Sequence, residues 1–182
     1  MRITISGTPG SGKTTVAKIL AKQLGLVHYS IGDLRGKMAL ERGINIDELN
    51  KIGEKENFTD QKVDEYQREI GKKEDNLIID GRLSYHFISN SVKIFLDVNL
   101  KTGCKRIMKD KRADEKSFET IKETEQHIKN RIKSDNYRYK KYYHLNYKDK
   151  TQYDLIIDTS EMTIEKVVDT IVKYLKREKI YK

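Results

Sequence analysis

The sequence predicts an α/β fold, a parallel sheet covered by helices on both faces, and three observations carry that expectation. Short apolar runs at residues 2–6, 27–29, 76–80, 92–98 and 153–158 read as buried strands, and the stretches between them carry helical periodicity. The segment GTPGSGKTT at residues 7–15 follows the first run directly and fits G-x-x-x-x-G-K-[ST], with Gly7, Gly12, Lys13 and Thr14 in the fixed positions. No Gly/Ser-rich linker or internal repeat interrupts the 182 residues, and the single proline is Pro9 inside that loop, so one domain is expected.

Taken in order, the helices are set by their apolar spacing. Val16, Ile19, Leu20 and Leu24 recur on one face of the first. Asn45 followed by Glu48 reads as a capping box opening a short helix, and Val63, Tyr66 and Ile70 give the next its buried stripe. Ile164, Val167, Val168, Ile171, Val172 and Leu175 mark the last helix most completely. Residues 101–145 differ. They are helical but polar and basic, with Phe118, Ile121, Ile128 and Ile132 as a thin apolar face, which predicts a segment packed loosely over a site and able to move.

Composition narrows the class of partner. The formal net charge of +9 suits nucleic acid, an anionic membrane or small phosphorylated ligands, and charge alone does not choose among them. No run approaches the roughly 18 apolar residues of a membrane span. The N-terminus enters the phosphate loop without a leader, and the lone Cys104 has no partner for an internal disulfide, so a cytoplasmic location is expected. His28, His86, His127 and His144 have no metal-ligand spacing.

The phosphate loop supplies binding chemistry. Its glycines let backbone N–H groups wrap an anion, Lys13 brings a mobile positive charge to the outer phosphates, and Thr14 offers a hydroxyl to Mg²⁺. Asp80 ends the run Leu77-Ile78-Ile79, where a phosphate-loop protein holds the carboxylate that orients the ion, although a strand-end acid also caps turns. Arg82 follows Gly81 at the same edge and suits either an anion or solvent. Arg131, Asp135 and Arg138 share one helix face, as phosphate ligands or as an exposed salt-bridge ladder. Tyrosines from Tyr137 to Tyr147 interleave with lysines and invite an RNA-binding reading, but Tyr139, Tyr142 and Tyr143 share a face and favour packing. Candidate general bases are scarce. A nucleoside monophosphate already presents an anionic oxygen at neutral pH, so such an acceptor needs cations rather than a base.

Together with the Ser30-Ile31-Gly32-Asp33 turn, Gln67-Arg68, Asp80-Gly81-Arg82-Leu83-Ser84 and the Arg-Tyr-Lys-Lys-Tyr-Tyr stretch at residues 138–143, these features resemble the nucleoside monophosphate kinases, and among them the archaeal-type cytidylate kinases. The resemblance implies a P-loop NTPase α/β/α fold with a five-stranded parallel sheet. It divides the chain into a CORE (1–30, 74–108, 146–182), an NMP-binding region at 31–73 and a LID region at 109–140. It also implies transfer from ATP to CMP or dCMP with Mg²⁺, in a monomer that binds small nucleotides and neither nucleic acid nor membrane.

For the site, the resemblance implies ATP contacts from Gly7, Thr8, Pro9, Gly10, Ser11, Gly12, Lys13, Thr14, Thr15 and Arg112, and Mg²⁺ contacts from Thr14 and Asp80. Acceptor contacts would come from Ser30, Asp33, Arg35, Asp64, Gln67, Arg68, Arg82 and Asp135, with Lys13, Arg82, Arg131 and Arg138 catalytic. Two positions depart from the pattern. Relatives carry an arginine four residues after the Gly32 position, where this chain has Gly36, so Arg35 or Lys37 must serve; and Asp60 and Asp64 stand where bacterial cytidylate kinases have a base-reading arginine. Adenylate kinases carry Gly-Phe-Pro-Arg where this chain has Gly81-Arg82. A kinase for another monophosphate, such as AMP or UMP, or for a small metabolite, and an RNA-associated nucleotide-binding protein are the alternative readings.

Overall fold

A computed structural model describes residues 1–110 and 115–181, so Arg112 lies outside the described residues. The strands are β1 (Arg2–Gly7), β2 (Val27–Ser30), β3 (Leu77–Asp80), β4 (Val92–Asp97) and β5 (Leu155–Asp158). The helices are α1 (Lys13–Leu24), α2 (Ile31–Leu40), α3 (Ile46–Lys55), α4 (Phe58–Lys73), α5 (Ser84–Phe87), α6 (Leu100–Lys109), α7 (Ile121–Tyr143) and α8 (Ile164–Arg177), with a 3₁₀ turn at Lys150–Gln152. All strand pairs are parallel, in the order β2-β3-β1-β4-β5. The chain therefore turns to opposite sides of β1, and the crevice at the carboxyl ends of the strands opens beside the phosphate loop.

Alternation along each strand sorts the core into two faces. Ile3, Ile5 and Ile78 pack with Val16, Ala17 and Leu20 of α1 and Val168, Ile171 and Leu175 of α8. On the other face Leu77 and Ile79 pack with Met38, Leu49, Val63 and Ile70 from α2, α3 and α4. Phe95 lies with Tyr85, Tyr139, Tyr147 and Tyr153 in a third cluster.

Three helix faces differ from their periodicity. In α1 the buried residues are Val16, Ala17, Leu20 and Ala21, because small alanines let the helix approach the sheet, and Ile19 is left 40% exposed. In α4, Tyr66 is also exposed and stacks edge-on to Tyr29, while the buried face is mostly polar: Thr59, Asp60, Asp64 and Gln67 join Val63 and Ile70. The expected loose packing of residues 101–145 does not extend to the end of α7, where Asp135, Arg138 and Tyr139 are all buried. Ile121, counted on its apolar face, is exposed. The Asn45–Glu48 capping box is present, and Thr120 with Glu123 forms a second at the start of α7. Among the described residues no helix is long and apolar enough to cross a membrane, and no group of three or more His, Cys, Asp or Glu side chains could hold a metal ion.

Candidate active site

The phosphate loop closes one end of a cavity of about 750 Å³ at the carboxyl edge of the sheet. Gly10 and Gly12 hold positive φ of 78° and 85°. Gly12 is the N-cap of α1 and supplies no capping side chain, so the first N–H groups of that helix remain available to an anion. Gly10 also meets α6 backbone to backbone: a Cβ there would lie 2.6 Å from the Gly103 carbonyl oxygen. Pro9, Gly10, Gly12, Lys13, Thr14 and Thr15 line the cavity. Gly7, Thr8 and Ser11 support it from behind. Thr8 receives the Val98 N–H on its hydroxyl at 3.1 Å, and Ser11 is buried.

Arg106, which no local pattern singles out, braces the loop. Its guanidinium donates to the Gly10 carbonyl at 3.4 Å, to Thr159 Oγ1 at 3.0 Å and to the Thr159 carbonyl at 2.7 Å. Two of these partners are backbone carbonyls, so no complementary side chain advertises the contact in the sequence.

Register places the carboxylate. Ser30 and Ile5 both face Asp80 across adjacent strands, which sets its side chain over the start of α1. Asp80 Oδ2 accepts from Thr14 Oγ1 at 2.7 Å and from Ser30 Oγ at 3.3 Å, while Oδ1 pairs with His28 Nε2 at 2.7 Å. Ser30 also caps α2 by accepting from the Asp33 N–H. A threonine hydroxyl and a carboxylate side by side at a phosphate loop are hard oxygen donors of the type Mg²⁺ takes.

The opposite wall is cationic. Arg35, from α2, donates through Nη1 to Asp60 and through Nη2 to Asn50, each at 3.0 Å. Lys37 instead points to solvent, 3.9 Å from Glu41, and only Arg35 of the two lines the cavity. Arg82 lies 3.0 Å from Asp135, Arg131 donates to Glu115 at 2.6 Å, and Arg138 bridges Asp60 and Asp135. These four arginines line the cavity with Asp33, Asp80 and Asp135. Asp64, Gln67 and Arg68 are not among its lining residues. Asp64 accepts from the Tyr143 hydroxyl at 2.6 Å, Gln67 accepts from Ser84 at 2.7 Å, and Arg68 lies over the Phe87 ring. The rotation of α4 that buries Val63 and Ile70 buries Asp64 and Gln67 with them and leaves Arg68 exposed.

Burial in this cavity lowers the Lys13 ammonium to about 7; the like charges of Arg82 and Arg131 add to the effect, and Asp80 and Asp135 oppose it. The ordinary value is 10.5, so the unfolded chain binds the proton more tightly. The resulting penalty on the ligand-free fold is full below a pH of about 7 and fades as pH rises toward 10.5. Lys13→Met should therefore raise the Tm of the ligand-free protein at a pH of roughly 6, with the gain shrinking by roughly pH 10. A pH-independent difference in thermal melts would contradict this electrostatic reading of Lys13.

Cations from separate helices facing a phosphate loop and a threonine–aspartate oxygen pair form equipment for moving a phosphoryl group between two anions, which defines the class: a P-loop phosphotransferase. Within that class the chain belongs to the cytidylate kinase-like family, whose sequence model matches residues 2–161. The cytidylate kinase of Archaeoglobus fulgidus is 35% identical over 99% of this chain and 97% of that protein. That of Methanocella arvoryzae is 36% identical over 95% of each. Among solved structures, shikimate kinase from Bacteroides thetaiotaomicron superposes with a TM-score of 0.65 at 18% identity, covering 97% of this chain and 98% of that one, a likeness of fold.

Proposed function

We propose that this protein is a cytidylate kinase that transfers the γ-phosphoryl group of ATP to CMP or dCMP, giving ADP and CDP or dCDP. The observation that carries this reading is the convergence of Arg35, Arg82, Arg131 and Arg138 on the cavity that Lys13 and Thr14 enter from the other side. ATP phosphates fit the N–H groups at the start of α1, with Lys13 on the outer oxygens. Thr14 and Asp80 would hold Mg²⁺, which neutralises phosphate charge when bound. The acceptor phosphate, with a second pKa of about 6, brings its own nucleophilic oxygen, so the arginines act by offsetting repulsion between two anions and aligning them.

Residues 31–73 then hold the acceptor, with Ile31, Ile46 and Asn50 forming its wall, and residues 109–140 carry the covering segment. The packing of Tyr139, Tyr143 and Tyr147 in one cluster argues for this reading over RNA contact, since those rings are occupied in the core. ADP release measured separately with CMP, dCMP, UMP, AMP and shikimate tests the assignment. CMP or dCMP should give the highest kcat/KM, and a clear preference for UMP, AMP or shikimate would replace it.

Arg82→Ala removes a charge-assisted partner in a water-poor site and should cost about 2–4 kcal/mol of transition-state stabilisation. Steady-state kinetics should show that loss mainly when CMP is varied. A change confined to the ATP dependence would move Arg82 to the donor side.

A further inference from the structure

Asp60 lies in the first turn of α4, 4% exposed, behind the cavity rather than in its wall. Its Oδ1 accepts from Nη1 of Arg35 at 3.0 Å and also from Nη1 of Arg138, so one carboxylate oxygen holds guanidinium groups from two different helices. Each arginine is fixed at its other terminal nitrogen too, Arg35 by Asn50 at 3.0 Å and Arg138 by Asp135 at 2.5 Å. Oδ2 of Asp60 receives the Thr59 hydroxyl at 3.4 Å. Gly53 of α3 closes over this group. A Cβ at that position would approach Thr59 Oγ1 to 2.8 Å, Asp60 Oδ2 to 3.0 Å and Arg138 Cδ to 3.1 Å, so the carboxylate has no room to swing aside.

Two buried cations repel, and without a shared counter-charge they would separate or turn toward other partners. With it, their spacing is set before any ligand arrives, and the cost of assembling a two-pronged anion grip is met in folding instead of binding. We propose that Asp60 is a positioning residue that sets Arg35 and Arg138 as one unit for the phosphate of the acceptor nucleotide. The proposal rests on the kinase reading and adds to it a residue that touches no substrate. Because Asp60 stands behind the arginines, it aligns them for the incoming phosphate and does not compete with it.

The test begins with wild-type turnover on the panel of monophosphates and continues with Asp60→Asn and Asp60→Glu on whichever acceptor the wild type prefers. Asparagine keeps the shape and removes the charge; glutamate keeps the charge and moves the oxygens by about one bond length. Displacements of that size reach a hundredfold in rate in ordered sites, and here each variant should raise the acceptor KM by about tenfold or more while the ATP KM stays within about twofold. Inorganic phosphate, which should raise the wild-type Tm, should do so less in Asp60→Asn. A purely structural Asp60 would lower active fraction and Tm and leave the acceptor KM alone, and that result overturns the proposal. If Asp60→Asn does not fold, Asp60→Glu decides on the same readouts; failure of both assigns Asp60 to the fold and also overturns it. Absence of turnover with every monophosphate in the wild type overturns the kinase reading itself, and is seen before any variant is made.

Discussion

Lys13→Ala protein should fold normally and lose phosphoryl transfer by about a thousandfold or more, since removing one preorganised donor to developing charge costs on the order of 10²–10³ and in the proposed mechanism this donor would meet both outer phosphates. The fold should survive because Lys13 contributes its charge to the cavity and no hydrophobic contact to either face of the sheet. Its neighbours Val16, Ala17, Leu20 and Ala21 hold α1 in place regardless. Circular dichroism should match wild type and melting should stay cooperative, at a Tm no lower than wild type because the buried charge is gone, while coupled turnover falls to background. Near wild-type turnover in the folded variant would remove the phosphate loop from the mechanism.

Arg138→Ala should behave differently, and the reason lies in burial. Arg138 is 1% exposed and bridges Asp60 and Asp135, so truncating it leaves two carboxylates in the interior short of a partner and opens a cavity beside Tyr139. Breaking a buried ion pair from one side costs on the order of 3 kcal/mol or more. The variant should lose that much stability in urea denaturation, as well as activity. Arg131→Ala, which takes a partner from one carboxylate, Glu115, where Arg138→Ala takes one from two, should lose activity with less effect on stability. Equal stability losses in the two variants would contradict this division between a fully buried cavity arginine and a partly exposed one.

That division was not legible from spacing, which puts Arg131, Asp135 and Arg138 on one helix face without saying what the face meets. The phosphate loop was legible because its chemistry is contiguous: a strand, glycines at positive φ and a lysine at a helix start are all local requirements. The strands were legible for the same reason, as short apolar runs with turns between them. What the sequence conceals are contacts between distant segments. His28 reads as a lone histidine until strand pairing brings it to Asp80, and Arg106 binds the backbone of the β5–α8 turn. Asn50 is an ordinary polar position, and Asp60 only a departure from the bacterial pattern, until α2, α3 and α4 pack together around Arg35. Asp64, Gln67 and Arg68 illustrate the converse, because a helix presents its polar residues in all directions and only packing against the sheet decides which of them reach the cavity.

The fate of the transferred group is the most direct measure of the central claim. With γ-labelled ATP, Mg²⁺ and CMP, the label should appear in the β position of CDP at the rate of ADP release, and inorganic phosphate should stay a minor product. Label recovered as inorganic phosphate at a rate independent of CMP would show a nucleotide hydrolase and contradict the account.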